Sequence, residues 1–107
     1  MARGHRIDHP GAVQHVTTRG TAQTMLHRTE RDRRYLMWLL TELDGRFGIE
    51  VHAYVLMGHH VHVIMRSRDG RLSEAMHWFG TRYATYFNTA HRRSGAFFKA
   101  RFHSELI

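Results

Sequence analysis

The sequence predicts an α+β sandwich, in which two helices cover one face of an antiparallel sheet. Three observations carry that expectation. Segments rich in β-branched residues and segments with helical apolar spacing follow one another in the order β-α-β-β-α-β. The break between the two middle strands is so short that a hairpin is the natural pairing. At 107 residues, the chain is long enough for one modest core and one domain.

The elements follow in order. Val13 to Arg19 (VQHVTTR) is β-branched and stops at Gly20, which reads as a strand. Thr29 is a helix cap with acids Glu30 and Asp32 behind it. Leu36, Leu39, Leu40, Leu43 and Phe47 then form one apolar stripe, and the helix ends near Gly45 or Gly48. Ile49 to Met57 is a strand whose alternation puts Ile49, Val51, Ala53 and Val55 on one side. Glu50, His52, Tyr54 and Leu56 fall on the other. Gly58-His59 breaks the chain, and His60 to Arg66 (HVHVIMR) is the next strand. Ser67 to Gly70 is a turn. Ser73 caps a second helix carrying Met76, Phe79, Tyr83, Tyr86, Phe87 and Ala90 at helical spacing. Ser94-Gly95 ends it, and Phe97 to Ile107 is an extended or strand-like tail. This order is the split βαβ, or ferredoxin-like, arrangement. Met25, Met37, Met57, Met65 and Met76 read as core or gap-filling residues.

Composition narrows the partners. The chain carries 16 Lys+Arg against 9 Asp+Glu, a formal charge of +7, and Lys99 is its only lysine. Residues 51–107 hold 8 basic and 3 acidic side chains, so the excess leans to the second half. Arginine suits phosphate oxygens and stacks on bases, so a polyanion is the expected partner. With no cysteine there is neither a disulfide framework nor a thiolate metal site, and an intracellular, cytoplasmic protein is favoured. Apolar runs are too short for a membrane span, and residues 1–10 read as a flexible basic arm rather than a signal peptide.

His60-Val61-His62 is the sharpest local feature. On a strand, residues two apart share a face with Cα atoms ~6.6–6.8 Å apart. Val61, Val63 and Met65 would face the helices and His60, His62 and Ile64 the opposite side. Spacing alone leaves two readings open: ligands of one divalent cation completed by a third group, or a solvated, hydrogen-bonded pair. His15 and His52 fall on the same side as satisfied surface histidines, and His59 is a loop histidine placed opposite His60 by parity.

The wider string of blocks is more specific. His15-Val16-Thr17-Thr18-Arg19-Gly20, His52-Ala53-Tyr54-Val55-Leu56-Met57, His59-His60-Val61-His62-Val63-Ile64-Met65, Gly80 to Asn88 and His91-Arg92-Arg93-Ser94-Gly95 run in sequence. In order and spacing they closely resemble the single-tyrosine HUH transposases of insertion sequences and REP-associated elements. The resemblance implies a DNA strand transferase that binds hairpin or repeat DNA and cuts one strand. His60 and His62 match the family's metal ligands, which hold Mg²⁺ or Mn²⁺ against the scissile phosphate. A tyrosine attacks to give a 5′-phosphotyrosine link and a free 3′-hydroxyl, and the reverse reaction rejoins strands.

The family's tyrosine lies on a later helix, reading Tyr-Ile and followed by a polar residue that can be the third ligand. No Tyr-Ile pair occurs here, so the expectation is a transposase domain lacking its C-terminal catalytic helix. Tyr83 and Tyr86 are weak substitutes on an apolar stripe, better read as packing residues. If the absent helix covers the open sheet face, Tyr54, Leu56 and Ile64 would be left as an exposed patch.

Arg19, Arg82, Arg92, Arg93, Lys99 and Arg101, interleaved with Phe97, Phe98 and Phe102, are the expected DNA-binding residues. The expected partner is single-stranded or hairpin DNA, at element ends or palindromic repeats, bound by a monomer or a homodimer. Two rival readings remain at this stage. One is a non-catalytic ferredoxin-like module that binds nucleic acid through exposed aromatics. The other is a small metal-dependent hydrolase, for which no carboxylate stands at useful spacing.

Overall fold

A computed structural model describes residues 9–99 and 101–107, so the expected basic arm lies almost wholly outside the described residues. Among these, four strands and two α-helices alternate as β1 (Ala12–Arg19), α1 (Glu30–Phe47), β2 (Ile49–Leu56), β3 (His60–Ser67), α2 (Leu72–Ala90) and β4 (His103–Leu106). A 3-10 turn at Thr21–Gln23 follows β1. The sheet order is β2-β3-β1-β4, and every neighbouring pair is antiparallel. Both helices lie on one side, as the β-α-β-β-α-β order demands.

Strict alternation on the two central strands sorts their side chains. Ala12, Gln14, Val16 and Thr18 of β1, with Val61, Val63 and Met65 of β3, are buried beneath the helices. They meet Leu36, Leu39, Leu40 and Leu43 of α1 and Leu72, Ala75, Met76, Phe79, Tyr83 and Phe87 of α2. Each fully buried Leu or Phe contributes roughly 1.5–3 kcal/mol relative to exposure, so these stripes fix which sheet face stays bare.

Helix α1 starts as its sequence predicts. Thr29 Oγ1 accepts from Asp32 N at 3.0 Å, and Thr29 N donates back to Asp32 Oδ2 at 3.2 Å. Asp32 also accepts from Arg28 N, from Tyr86 Oη and from His91 Nε2, both of the latter at 2.7 Å. Burial pushes this carboxyl up, but the hydrogen bonds outweigh it and hold it at about 2. The helix ends at Gly48, whose left-handed φ of 68° satisfies the Asp44 and Leu43 carbonyls.

Four local expectations need correction. Ser73 is not the cap of α2: the helix begins earlier, after Arg71, whose amide is taken by Ser67 Oγ at 3.1 Å. Met25 and Met57 are exposed rather than core, unlike Met65 and Met76. The tail is strand only at His103–Leu106, because Phe97 turns into the core. A bulge between Val51 and Ala53 shifts the parity of β2. Ile49, Val51, Tyr54 and Leu56 pair with Ser67, Met65, Val63 and Val61 on the helix side, whereas Ala53 and Val55 pair with Ile64 and His62 on the bare face. The apolar residues of the bare face are therefore Ala53, Val55 and the half-buried Ile64; Leu56 is half-buried on the helix side, and Tyr54, on that same side of the edge strand, remains exposed. One unpaired residue at a sheet edge is enough to flip everything beyond it.

Candidate metal and nucleic-acid site

The bare face of the sheet carries Val13, His15, Thr17 and Arg19 from β1 and His60, His62, Ile64 and Arg66 from β3. Register then sets their neighbours. Thr17 stands opposite His62 on one side and His103 on the other; Arg19 is opposite His60, and His15 opposite Glu105. The rings of His60 and His62 lie side by side, centroids 4.8 Å apart and nearly perpendicular.

His62 is half-buried and held from one edge. Its Nδ1 lies 2.9 Å from His15 Nε2 and 3.2 Å from Thr17 Oγ1, and among the described residues no hydrogen bond engages its Nε2. Burial pushes its pKa below the usual histidine range, helped by the neighbouring charges of His60, His15 and Arg19. The neutral ring that results is the form that ligates metals. His59 does not follow strand parity, because it belongs to the hairpin break; its Nδ1 comes within 3.2 Å of His60 Nδ1. His52, the bulged residue, turns to Glu50 Oε1 at 3.2 Å and away from the pair.

The basic groups divide into two sets. Lys99 N donates to Arg19 O at 2.8 Å, Thr21 N to Phe97 O at 2.8 Å, and Gly20 pairs with Phe98. These bonds lay the segment after α2 against the end of β1. A cavity of about 200 Å³ results, lined by Thr17, Arg19, His62, Lys99, Arg101 and His103. Three of the six expected DNA-binding residues thus gather beside His62. The other three sit elsewhere: Arg82 lies 5.5 Å over the Trp78 ring, and Arg92 is on the turn after α2. Arg93 is a brace, bonded to Asn88 Oδ1 and Ala96 O at 2.9 Å and stacked on Phe97.

Gly20 has a reason of its own. A Cβ there would stand 2.4 Å from the Thr24 carbonyl oxygen, so the protein's own backbone packs where a side chain would start.

The tyrosines are all away from the pair. Tyr83 is fully buried, its hydroxyl donates to Leu26 O, and burial pushes its pKa far up. Tyr86 is pushed up to about 12 by burial and by its bond to Asp32. Tyr35 packs against Tyr86 with ring centroids 4.5 Å apart and planes tilted by 35°, and Tyr54 faces the helix side of β2.

Residues 13–106 match the family described as "Transposase IS200 like". The chain belongs to that family. It is also similar to a solved REP-associated tyrosine transposase bound to a REP hairpin, with a TM-score of 0.79 at 15% identity. That alignment takes in 100% of this chain and 62% of the other, and it concerns the fold.

For an IS200-like chain, the donor set bears on the metal that the family generally uses. His60 and His62 fit as two imidazole donors on one face, and burial biases His62 toward its neutral form. Among the described residues, no three His, Asp or Glu side chains converge into a complete metal-binding group. Sequence reasoning placed the two histidines and three of the cations together. It missed His103 and Glu105, whose place on β4 only the register reveals. Among the described strand residues, no Phe or Tyr lies on the bare face, where a base-stacking sheet carries its aromatics. No described helix is long and apolar enough to cross a membrane.

Proposed function

We propose that this chain is the DNA-gripping and metal-holding part of a single-strand DNA transposase, with a nucleophilic tyrosine supplied from outside residues 1–107. The observation that carries the reading is the pairing of His60 and His62 on the bare sheet face, next to a cavity walled by Arg19, Lys99 and Arg101. Family membership supports it.

The roles follow from chemistry. The two guanidinium groups and the ammonium neutralise a phosphate of single-stranded or hairpin DNA and hold it beside the imidazoles. His60 and His62 would hold a divalent cation, Mg²⁺ or Mn²⁺, which supplies charge stabilisation on the phosphate oxygens and orients them for in-line displacement. In the cleavage step a tyrosine oxygen bonds to phosphorus as the bond to the 3′ oxygen breaks. The 3′ oxygen takes up a proton, and the 5′-phosphotyrosine keeps the bond energy for rejoining. The sites are those of a mobile element, at its ends or at palindromic repeats, and a second copy of the chain can share the work.

Two titrations test this. Mn²⁺ added to the protein should give heat of binding that His60→Ala and His62→Ala each abolish. A labelled DNA hairpin with a single-stranded extension should bind, with affinity falling steeply as salt rises. No Mn²⁺ binding by the unaltered protein, or affinity flat from low to moderate salt, would overturn the reading.

A further inference from the structure

We infer that His15 is a positioning residue for His62, fixing it as the tautomer whose proton is on Nδ1 and whose bare Nε2 lone pair faces away from β1. The use of that lone pair rests on the metal-binding reading above; the tautomer itself rests on geometry.

The rings of His15 and His62 are within 18° of parallel, with Nε2 of one 2.9 Å from Nδ1 of the other. Between two neutral imidazoles this distance requires one shared proton, held by one nitrogen and accepted by the other. What lies behind His15 decides which. Glu105 Oε1 is 3.8 Å from His15 Nδ1, beyond hydrogen-bond length, and in a neutral His15 its negative charge favours the tautomer protonated on Nδ1 over the one protonated on Nε2. A neutral His15 protonated on Nδ1 has a bare Nε2, which can only accept. The shared proton therefore belongs to His62 Nδ1. Thr17 Oγ1, 3.2 Å from that nitrogen, is a second acceptor for it.

Three strands cooperate in this chain of groups. β4 brings Glu105 opposite His15, and β1 places Thr17 opposite His62. Metal-bound histidines usually give their second N–H to a carboxylate or carbonyl, which sets the ring's tautomer and basicity. Here an imidazole stands in that place, with the carboxylate behind it. Nothing in the His-Val-His spacing shows this, because the partner lies 47 residues upstream.

The test needs no catalysis. Long-range proton–nitrogen correlation spectra of the ¹⁵N-labelled, metal-free chain read the tautomer of each ring directly. His62 should carry its proton on Nδ1 in the unaltered protein. His15→Ala should shift it toward a mixture and weaken Mn²⁺ binding by about 10–100-fold. His15→Gln, which keeps an acceptor, should preserve much of both. A proton on Nε2 of His62 in the unaltered chain overturns the inference, as does an unchanged tautomer in His15→Ala. If the unaltered chain fails to bind Mn²⁺, the metal reading falls, and the tautomer measurement still decides the role of His15.

Discussion

The hydroxyl of Tyr86 donates to Asp32 Oδ1 at 2.7 Å, tying the later part of α2 to the first turn of α1. His91 Nε2 closes the same carboxylate from its other oxygen at 2.7 Å. An ionised group that is only 1% exposed is tolerable because every lone pair of note is engaged.

Acid should therefore loosen the protein through Asp32. Its folded pKa of about 2 lies below the ordinary 3.8, so the unfolded chain takes up that proton first as pH falls. The contribution, about 2 kcal/mol, is complete above pH ~5 and declines as pH drops toward ~2. Urea unfolding of the unaltered chain and of Asp32→Asn across that range should converge at the acid end. Parallel curves would remove Asp32 from the account.

Gly20→Ala should destabilise by about 1–3 kcal/mol, since the added methyl meets the Thr24 carbonyl oxygen and something must shift. Because Gly20 N and Thr21 N also anchor His59 and Phe97, DNA affinity should drop with it. Denaturant midpoints and anisotropy titrations check both; an unaltered midpoint would contradict the packing argument.

Arginines of similar charge should behave differently. Arg19→Ala and Arg101→Ala should each lower the slope of log affinity against log salt for single-stranded DNA by ~0.7. Arg93→Ala should leave the slope alone and lose about 1 kcal/mol of stability, because its guanidinium is spent on Asn88 and Ala96. Identical slopes for all four proteins would dissolve the distinction.

Residues 1–107 incubated with single-stranded DNA and Mn²⁺ should form no covalent adduct. Tyr83→Phe and Tyr86→Phe should bind DNA as the unaltered chain does. A tyrosine-linked band on a denaturing gel, mapped to either position by mass spectrometry, would overturn that expectation.

Periodicity carried the two helices and the central strands, because Leu36–Leu43 and Val61–Met65 repeat without interruption. The same regularity placed His60 and His62 on the bare face. It failed on β2, where a single bulged residue, His52, has no signature in composition and reverses the parity of Tyr54 and Val55. Resemblance in the Arg19-Gly20 block located a cation, but not the reason for the glycine, which is a backbone contact four residues on. The partners of His62 were illegible for a different cause. They are set by inter-strand register, which depends on pairings between distant parts of the chain.

The stitching of Lys99 to Arg19, and of Phe97 to Thr21, also dictates when the cavity can exist. A ribosome delivers Arg19 and Thr21 early and Lys99 and Arg101 late, with both helices made in between. Until the segment after α2 docks, Arg19 of β1 stands without the other wall of the cavity. The arrangement of these cations around His62 therefore has to wait for the segment that follows α2.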